Sequence, residues 1–232
     1  NNKALEIYNP TNQAIDLSDY VVIRYSNGAN FVTAEAAVAL NGTIEPYSTY
    51  VAVLDKRDPN GTGQEAEIWS ELQEKADGFY CPVYDISKAM YFNGNDAVVL
   101  AKGSLQDVDD GEAMAVDIFG KIGEDPDYDK DAGYFGWTSE FPHVGPGEIT
   151  GEGVDVTTDH SLIRKPNIKK GVTINPVHFD PLAEWDSIPP VLPRLDENGN
   201  YIYNQQGNLV VDGNWESLGW HDCDCAPEDL GI

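Results

Sequence analysis

Short extended runs with alternating apolar and polar side chains dominate this chain, and turn-forming residues end each run. In the first run, the alternation places Leu5 and Ile7 on one face and Glu6 on the other, and Asn9 and Pro10 end the pattern. Comparable runs occupy residues 20–25, 36–40, 49–54, 97–101, 114–119 and 160–165. Runs of this kind, without alternating helices, predict an antiparallel all-β fold in which two sheets pack face to face.

One short helix is predicted after the fourth run. Thr62 precedes Glu65 by three residues, which is the spacing of a helix-capping box. Gly78 follows as a residue that ends helices. Between these signals, apolar residues recur at helical spacing at Ile68, Trp69, Leu72 and Ala76. We expect the helix to pack over one end of the sandwich.

Two stretches of different composition interrupt the strand pattern and are predicted insertions. Residues 123–155 join an acidic segment to a segment rich in Gly and Pro. Residues 188–213 contain two apolar runs separated by turn residues, and we expect a surface hairpin in which residues 201–203 face residues 209–211. The whole chain, residues 1–232, is predicted to be one sandwich domain, because sandwiches of this length are commonly single units.

The charge balance disfavours some classes of partner. The chain has 14 Lys and Arg against 40 Asp and Glu, which gives a formal net charge of −26 at pH 7. Affinity for a phosphate backbone or an anionic membrane comes largely from cationic side chains, so both partners are disfavoured. A hydrophobic content of 41% predicts a packed core beneath this acidic surface. No apolar run reaches the roughly 18 residues of a transmembrane segment.

The cationic residues are concentrated in one place. Four of the fourteen lie within residues 164–170. In so acidic a molecule we expect them to pair with the protein's own carboxylates. A nucleic-acid-binding function would require this cluster to act alone.

Motifs of common enzyme classes are absent from the sequence. It contains no G-x-S-x-G, no H-E-x-x-H and no G-x-x-x-x-G-K-[ST] segment. Asp159, His160 and Ser161 are adjacent, but a catalytic triad is assembled in space, and neighbouring side chains on a strand point to opposite faces. We therefore predict no catalytic residues and no enzymatic activity.

An acidic loop is the clearest candidate for a metal site. Asp127, Asp129 and Asp131 alternate along the chain, and oxygen ligands two residues apart can converge on one hard cation. The loop departs from the helix–loop–helix calcium pattern, because Gly133 comes one place late and Thr138 stands where a bidentate Glu is expected. Ca²⁺ is therefore the cofactor that we consider for this loop, and a solvated acidic loop is the alternative.

Aromatic residues beside these carboxylates are candidate ligand contacts. Tyr128, Tyr134 and Trp137 are the candidate binding residues for a glycan or another surface ligand. A second, weaker calcium candidate comprises Asp107, Asp109 and Asp110.

The cysteines leave more than one interpretation open. His221, Cys223 and Cys225, with distant Cys81, provide the ligand types of a zinc site. A C-x-C segment lacks the two-residue spacer that is common in structural zinc sites. A disulfide from Cys81 to one of the pair, or free thiols, is therefore favoured over zinc.

Several segments taken together resemble one known family. They are residues 6–9 (EIYN), 16–18 (DLS), 41–46 (NGTIEP), 92–100 (FNGNDAVVL), 116–120 (VDIFG), 158–166 (TDHSLIRKP), 184–185 (EW) and 218–221 (LGWH). With these segments the chain resembles the bacterial branch of the lamin tail domain family over most of residues 1–187 and again over 214–221. The 92–100 segment is the most specific: its Asn and Asp side chains are expected to bond backbone amides in a tight turn that begins a buried strand.

The resemblance implies an immunoglobulin-like antiparallel β-sandwich without catalytic machinery, here with one short helix and the inserted loops and hairpin. In bacteria such domains are often attached to secreted or surface hydrolases, where they serve in tethering or recognition. The resemblance transfers no set of ligand residues. It also implies a strand ahead of Asn1, so one sheet edge is expected to be open or to be filled by residues outside this sequence.

These observations favour a non-catalytic, exported accessory module that recognises a protein or a surface glycan through the loops at 123–155 and 188–213. We expect an extracellular, periplasmic or cell-surface location, with the export signal outside this sequence. A calcium-stabilised module that binds a glycan or another surface ligand is the first alternative. A metal-dependent hydrolase that uses acidic residues is the second.

Overall fold

The structure is a computed structural model that describes residues 2–126, 136–139 and 154–225. In these residues it contains thirteen strands, β1 (Ala4–Tyr8), β2 (Ile15–Asp16), β3 (Tyr20–Tyr25), β4 (Ala37–Ala39), β5 (Thr43–Ile44), β6 (Thr49–Leu54), β7 (Gly78–Tyr80), β8 (Ala97–Lys102), β9 (Met114–Phe119), β10 (Ser161–Arg164), β11 (Trp185–Ile188), β12 (Val191–Pro193) and β13 (Val211–Gly213). The helices are α1 (Ser70–Gln73), α2 (Leu105–Asp110) and α3 (Pro181–Glu184).

Two sheets form the centre of the molecule. The larger sheet has the strand order β4-β3-β8-β9, and all of its neighbouring strands are antiparallel. The smaller sheet has the order β1-β6-β7, in which β1 is antiparallel and β7 parallel to β6. Three further pairs complete the described strands: β2 with β5, β10 with β11, and β12 with β13. The predicted all-β sandwich is confirmed.

The main core lies between the two sheets and follows from the alternation of side chains. Leu5 and Ile7 of β1 contribute to it from the smaller sheet, and Val22, Val98 and Leu100 contribute from the larger sheet. Because consecutive residues of a strand face opposite sides, the remaining apolar residues of these strands point away from this core.

Each sheet also buries its outer face. In the smaller sheet, Val51 and Val53 of β6 face outward and are covered by Ile68, by Leu72 of α1 and by Trp215. The outer face of the larger sheet is covered in part by α2 and by residues that follow β9. Strands buried on both faces are apolar at nearly every position, which explains the unbroken apolar character of β6.

The predicted helix exists, but it begins later than its capping signal. Thr62 makes no capping hydrogen bond, residues 63–65 form a 3₁₀ turn, and α1 starts at Ser70. The reason is tertiary, because the carboxylate of Glu65 pairs with the buried ammonium of Lys56 instead of returning to the backbone at Thr62.

Candidate interaction surface

Residues 191–213, which we call the meander, fold back on themselves twice. Tyr203 pairs with Leu209, and the amide of Val210 donates to the carbonyl of Ile202 at 2.9 Å, which confirms the predicted hairpin. The meander also contains a strand segment that was not predicted. Arg194 donates its amide to the Val210 carbonyl at 2.9 Å and accepts from the Ile202 amide at 3.1 Å. The three extended segments of the meander, which contain Arg194, Ile202 and Val210, are therefore each hydrogen-bonded to the other two.

Two similar turns connect these segments. Asp196 accepts hydrogen bonds from the amides of Asn198 and Asn200, and eight residues later Asn204 accepts from the amides two and four positions after it. Gly199 and Gly207 both have φ of +81°, a left-handed conformation that glycine adopts without a steric penalty. The hydrogen bonds that the Asp196 carboxylate accepts from these backbone amides lower its pKa below the ordinary value. The spacing of eight residues between these turns is the sequence signal for the third segment.

One face of the meander carries a row of exposed apolar side chains. Leu195 pairs with Tyr201, and Tyr203 pairs with Leu209. Residues opposite each other in an antiparallel pair share a face, and so do residues two apart on one strand, so all four side chains lie on the same side. Between 39% and 59% of each side chain is exposed. We call Leu195, Tyr201, Tyr203 and Leu209 the aromatic row.

The base of the meander is fixed to the sandwich. Asn214 donates from its amide to the Pro190 carbonyl at 2.9 Å and from its side chain to the Pro189 carbonyl at 2.8 Å. Trp215 follows directly and is buried, with its ring 5.5 Å from that of Trp69. The aromatic row is therefore presented from an anchored base.

Residues 215–225, which we call the 215–225 segment, continue from this anchor along β1. The amide of Gly219 donates to the carboxylate of Glu6 at 2.6 Å, and the ring of His221 lies 5.0 Å from that of Tyr8. Burial of Glu6 beneath this segment raises its pKa to about 7, although the Gly219 N–H and the charge of Lys75 oppose the shift.

Comparison with known proteins places the first half of the chain. Residues 1–115 match the model of the Lamin Tail Domain family. These residues belong to the lamin tail domain family. The matched part contains β1 to β8 and therefore the three interior strands of the two central sheets, β3, β6 and β8. No curated protein and no solved structure matches the chain.

The lamin tail domain match ends inside β9, so the family segments quoted beyond residue 115, the meander and the 215–225 segment lie outside it. That residues 1–232 form one domain stays a prediction. Within the described ranges, none of the helices has the length and apolar character needed to span a bilayer.

The most specific family segment forms the turn that its residues predict. Asp96 is buried and accepts from the amide of Asn93 at 3.2 Å, so the turn closes just before β8. The same carboxylate accepts from the amide of Asn27 at 3.2 Å and from Nε of Arg24 at 2.8 Å. Gly94 has φ of +100°, and a Cβ there would lie 2.6–2.8 Å from backbone atoms of residues 157 and 158. The motif is therefore a structural element of the lamin tail domain.

Most of the predicted site residues lie outside the described part of the chain. These are Asp127, Asp129 and Asp131 of the calcium loop, with Tyr128 and Tyr134.

Trp137 is described, and its ring is not at the surface. It is 2% exposed and lies 5.1 Å from the ring of Phe179, and its amide donates to Thr157 at 2.8 Å. A side chain in this position is part of the packed interior.

The weaker calcium candidate is instead part of a helix. Asp107 accepts from the amide of Ser104 at 2.6 Å, and Ser104 accepts from the amide of Asp107, so the two residues form the capping box of α2. Asp109 accepts from the amide of Ala34, and Asp110 from the side chain of Gln106. This calcium assignment was wrong, because the three carboxylates bond to separate protein groups.

The cysteines form neither of the pairings that we considered. Cys223 and Cys225 are joined to each other by a disulfide. Cys81 is a buried free thiol with Sγ 3.2 Å from Oγ of Ser87, and burial raises its pKa. Within the described residues, no three His, Cys, Asp or Glu side chains are placed to hold a metal ion.

Within the basic cluster, Arg164 pairs with the protein's own carboxylates, as predicted. Arg164 donates to Asp117 at 2.6 Å and to Glu184 at 2.9 Å, and its guanidinium lies 4.4 Å from the centre of the Trp185 ring. Lys165 donates to a backbone carbonyl of α3. Arg164 and Lys165 therefore join β10 to β9 and α3.

The adjacent Asp159, His160 and Ser161 occupy the approach to β10. Asp159 has φ of +53°, Nδ1 of His160 lies 2.6 Å from the carbonyl oxygen of Thr158, and Ser161 begins the strand. These positions are those of a turn that leads into a strand.

Proposed function

We propose that this chain is an exported interaction module that attaches to its target through the aromatic row. The lamin tail domain is an immunoglobulin-like domain of a family that is not typically catalytic. A function in attachment agrees with such a family, and the exposed aromatic row is the surface that supports it.

The observation that carries the proposal is the exposure of four large apolar side chains on one face of an anchored meander. Tyr201 and Tyr203 are each 59% exposed, and their rings combine an apolar body with a polar hydroxyl. Contiguous exposed apolar side chains mark interaction sites, whereas apolar side chains that are exposed singly are ordinary on protein surfaces. The target is a protein or a surface glycan, since a net charge of −26 disfavours polyanions.

One feature supports location outside the cytoplasm. Disulfides such as Cys223–Cys225 persist mainly in oxidising compartments. A location at the cell surface is therefore part of the proposal.

The test measures adsorption of the fluorescently labelled chain to cell-envelope fractions of the source organism. We expect the Tyr201→Ser, Tyr203→Ser double variant to bind at least tenfold more weakly than the parent. The matched control is Ile174→Ser with Val177→Ser, which alters two side chains that are 80% and 92% exposed outside the meander, and it should bind normally. Absence of adsorption by the parent, or equal losses in both variants, contradicts the proposal.

Pretreatment of the envelope identifies the class of target. Protease digestion should abolish adsorption to a protein, and periodate oxidation should abolish adsorption to a glycan. Adsorption that survives both treatments contradicts attachment to either class.

A further inference from the structure

A second surface, independent of the aromatic row, lies at the open edge of the larger sheet. Strand β4 is at the end of the order β4-β3-β8-β9, and no described residue pairs with its other side as a strand. Edge strands present backbone groups that can pair with another chain. Whether another chain can pair with β4 depends on which of its backbone N–H and C=O groups face outward.

The backbone of Ala39 faces the open side. The amide of Leu40 donates to the Tyr20 carbonyl at 2.9 Å, so residue 40 bonds inward to β3. Hydrogen-bonded and non-hydrogen-bonded residue pairs alternate along an antiparallel ladder. The backbone N–H and C=O groups of residues 37 and 39 therefore point away from β3. The carbonyl of Ala37 accordingly accepts from Oγ of Ser87 at 2.9 Å. The N–H and C=O of Ala39 point to the same open side, where no described residue bonds to them.

An apolar groove runs beside this edge. It encloses about 280 Å³ between β4, the 82–87 segment and the start of α2. Val83, Ile86 and Leu105 line it and are 46%, 72% and 38% exposed. An added strand would place alternate side chains on this side of the sheet, so the groove can hold one apolar side chain of a bound peptide.

Charge at the rim selects the kind of peptide. Glu35 and Asp85 are exposed and are the sequence neighbours of Ala34 and Ile86, which line the groove. Asp109 is also exposed and is held at the rim by the amide of Ala34 at 2.7 Å. Lys88 lies over the ring of Tyr84, 5.5 Å from its centre. A second copy of this chain would bring two acidic rims together and be repelled, whereas cationic side chains are attracted.

We propose that β4 is a docking edge for an extended cationic peptide segment of another protein. The peptide adds a fifth strand beside β4, exchanges hydrogen bonds with Ala39, and seats an apolar side chain between Val83, Ile86 and Leu105. Lys or Arg residues at its ends face Glu35, Asp85 and Asp109. This mode gives affinity through main-chain bonds and specificity through the groove and the rim.

The probe is a fluorescein-labelled peptide of sequence KTVTVTK, whose binding is followed by anisotropy. We expect saturable binding that weakens as salt rises, and binding at least tenfold weaker for the matched peptide ETVTVTE. Ile86→Asp should lose at least tenfold in affinity, whereas the control Val177→Asp, at a side chain 92% exposed, should bind as the parent does. Absence of binding, or equal binding of both peptides, overturns the proposal.

Backbone pairing is tested separately. Ala39→Pro removes the outward N–H without removing a bond to β3, and it should reduce affinity at least tenfold. A KTVTVTK peptide that is N-methylated at its central residues provides the same test on the unaltered protein, should the proline variant fail to fold. Undiminished binding of the N-methylated peptide overturns strand addition.

Discussion

At the scale of single residues, Asp96 holds together the turn that begins β8. Its buried carboxylate accepts from Arg24 and from the amides of Asn27 and Asn93. Asp96→Ala leaves a partly buried guanidinium and two amides without their acceptor, so we expect a loss of about 3–5 kcal/mol in the free energy of unfolding. Urea denaturation measures this loss. The control Asp19→Ala, at an exposed carboxylate, should change it by less than about 0.5 kcal/mol; equal effects of both substitutions contradict the role of Asp96.

The local half of this arrangement could be predicted from sequence, and the distant half could not. Asn and Asp side chains bond to amides a few residues away, so the turn at residues 93–96 follows from residue types alone. Arg24 is 72 residues from Asp96, and no local pattern specifies that contact. Trp137 shows the opposite limit, because proximity to an acidic loop in sequence indicated exposure while the fold buries the ring.

At the scale of elements, the helices were predicted least well because their signals are short and their partners are distant. The capping spacing at Thr62 is real, but Glu65 pairs with Lys56. The equivalent signal at Ser104 and Asp107 does form a capping box, and we had considered its acid for metal binding. The repeated turns at Asp196 and Asn204 could have revealed the third segment of the meander.

The packing of the 215–225 segment on β1 makes stability depend on pH. The pKa of Glu6 is raised from 4.5 to about 7, chiefly by burial. Between these values Glu6 holds a proton in the folded protein that it releases in the unfolded chain. The contribution of Glu6 to stability is therefore highest below about pH 4.5 and is lost as the pH rises through 7. Asp77 adds to the shift, whereas Lys75 and the Gly219 N–H reduce it.

The test compares the parent with Glu6→Gln, which keeps an acceptor for Gly219 but carries no charge. We expect the melting temperature of the parent to fall relative to the variant between pH 5 and pH 8. Thermal unfolding at intervals of half a pH unit measures the difference. A constant difference across this range contradicts the role of Glu6.

At the scale of the whole molecule, the alternation of apolar and polar side chains predicts the two facing sheets, because every strand with one buried face must show this alternation. It does not predict what covers the outer faces. Trp215 packs on Val51 and Val53 from more than 160 positions away, and the bond between Gly219 and Glu6 spans 213. The meander that carries the aromatic row is anchored at its base by the same Trp215. The hairpin was therefore predicted from its local sequence, whereas the way in which the sandwich holds the row at the surface was not.

The net charge of −26 governs the remaining prediction, which concerns calcium at Asp127, Asp129 and Asp131. A cation that binds only the folded state at 100 times its dissociation constant stabilises it by about 2.7 kcal/mol. We therefore expect millimolar Ca²⁺ to raise the melting temperature by several degrees, and a chelator to reverse the rise. NaCl at matched ionic strength should have a smaller effect, because it only screens repulsion among the carboxylates.

Two variants separate a specific site from general screening of charge. Replacing the three loop aspartates by asparagine should abolish the response to Ca²⁺. The control Asp109→Asn with Asp110→Asn removes carboxylates from α2, which bond to Ala34 and Gln106, and it should retain the response. If both variants respond as the parent does, or if the parent does not respond, the acidic loop binds no calcium and only adds to the charge of the surface.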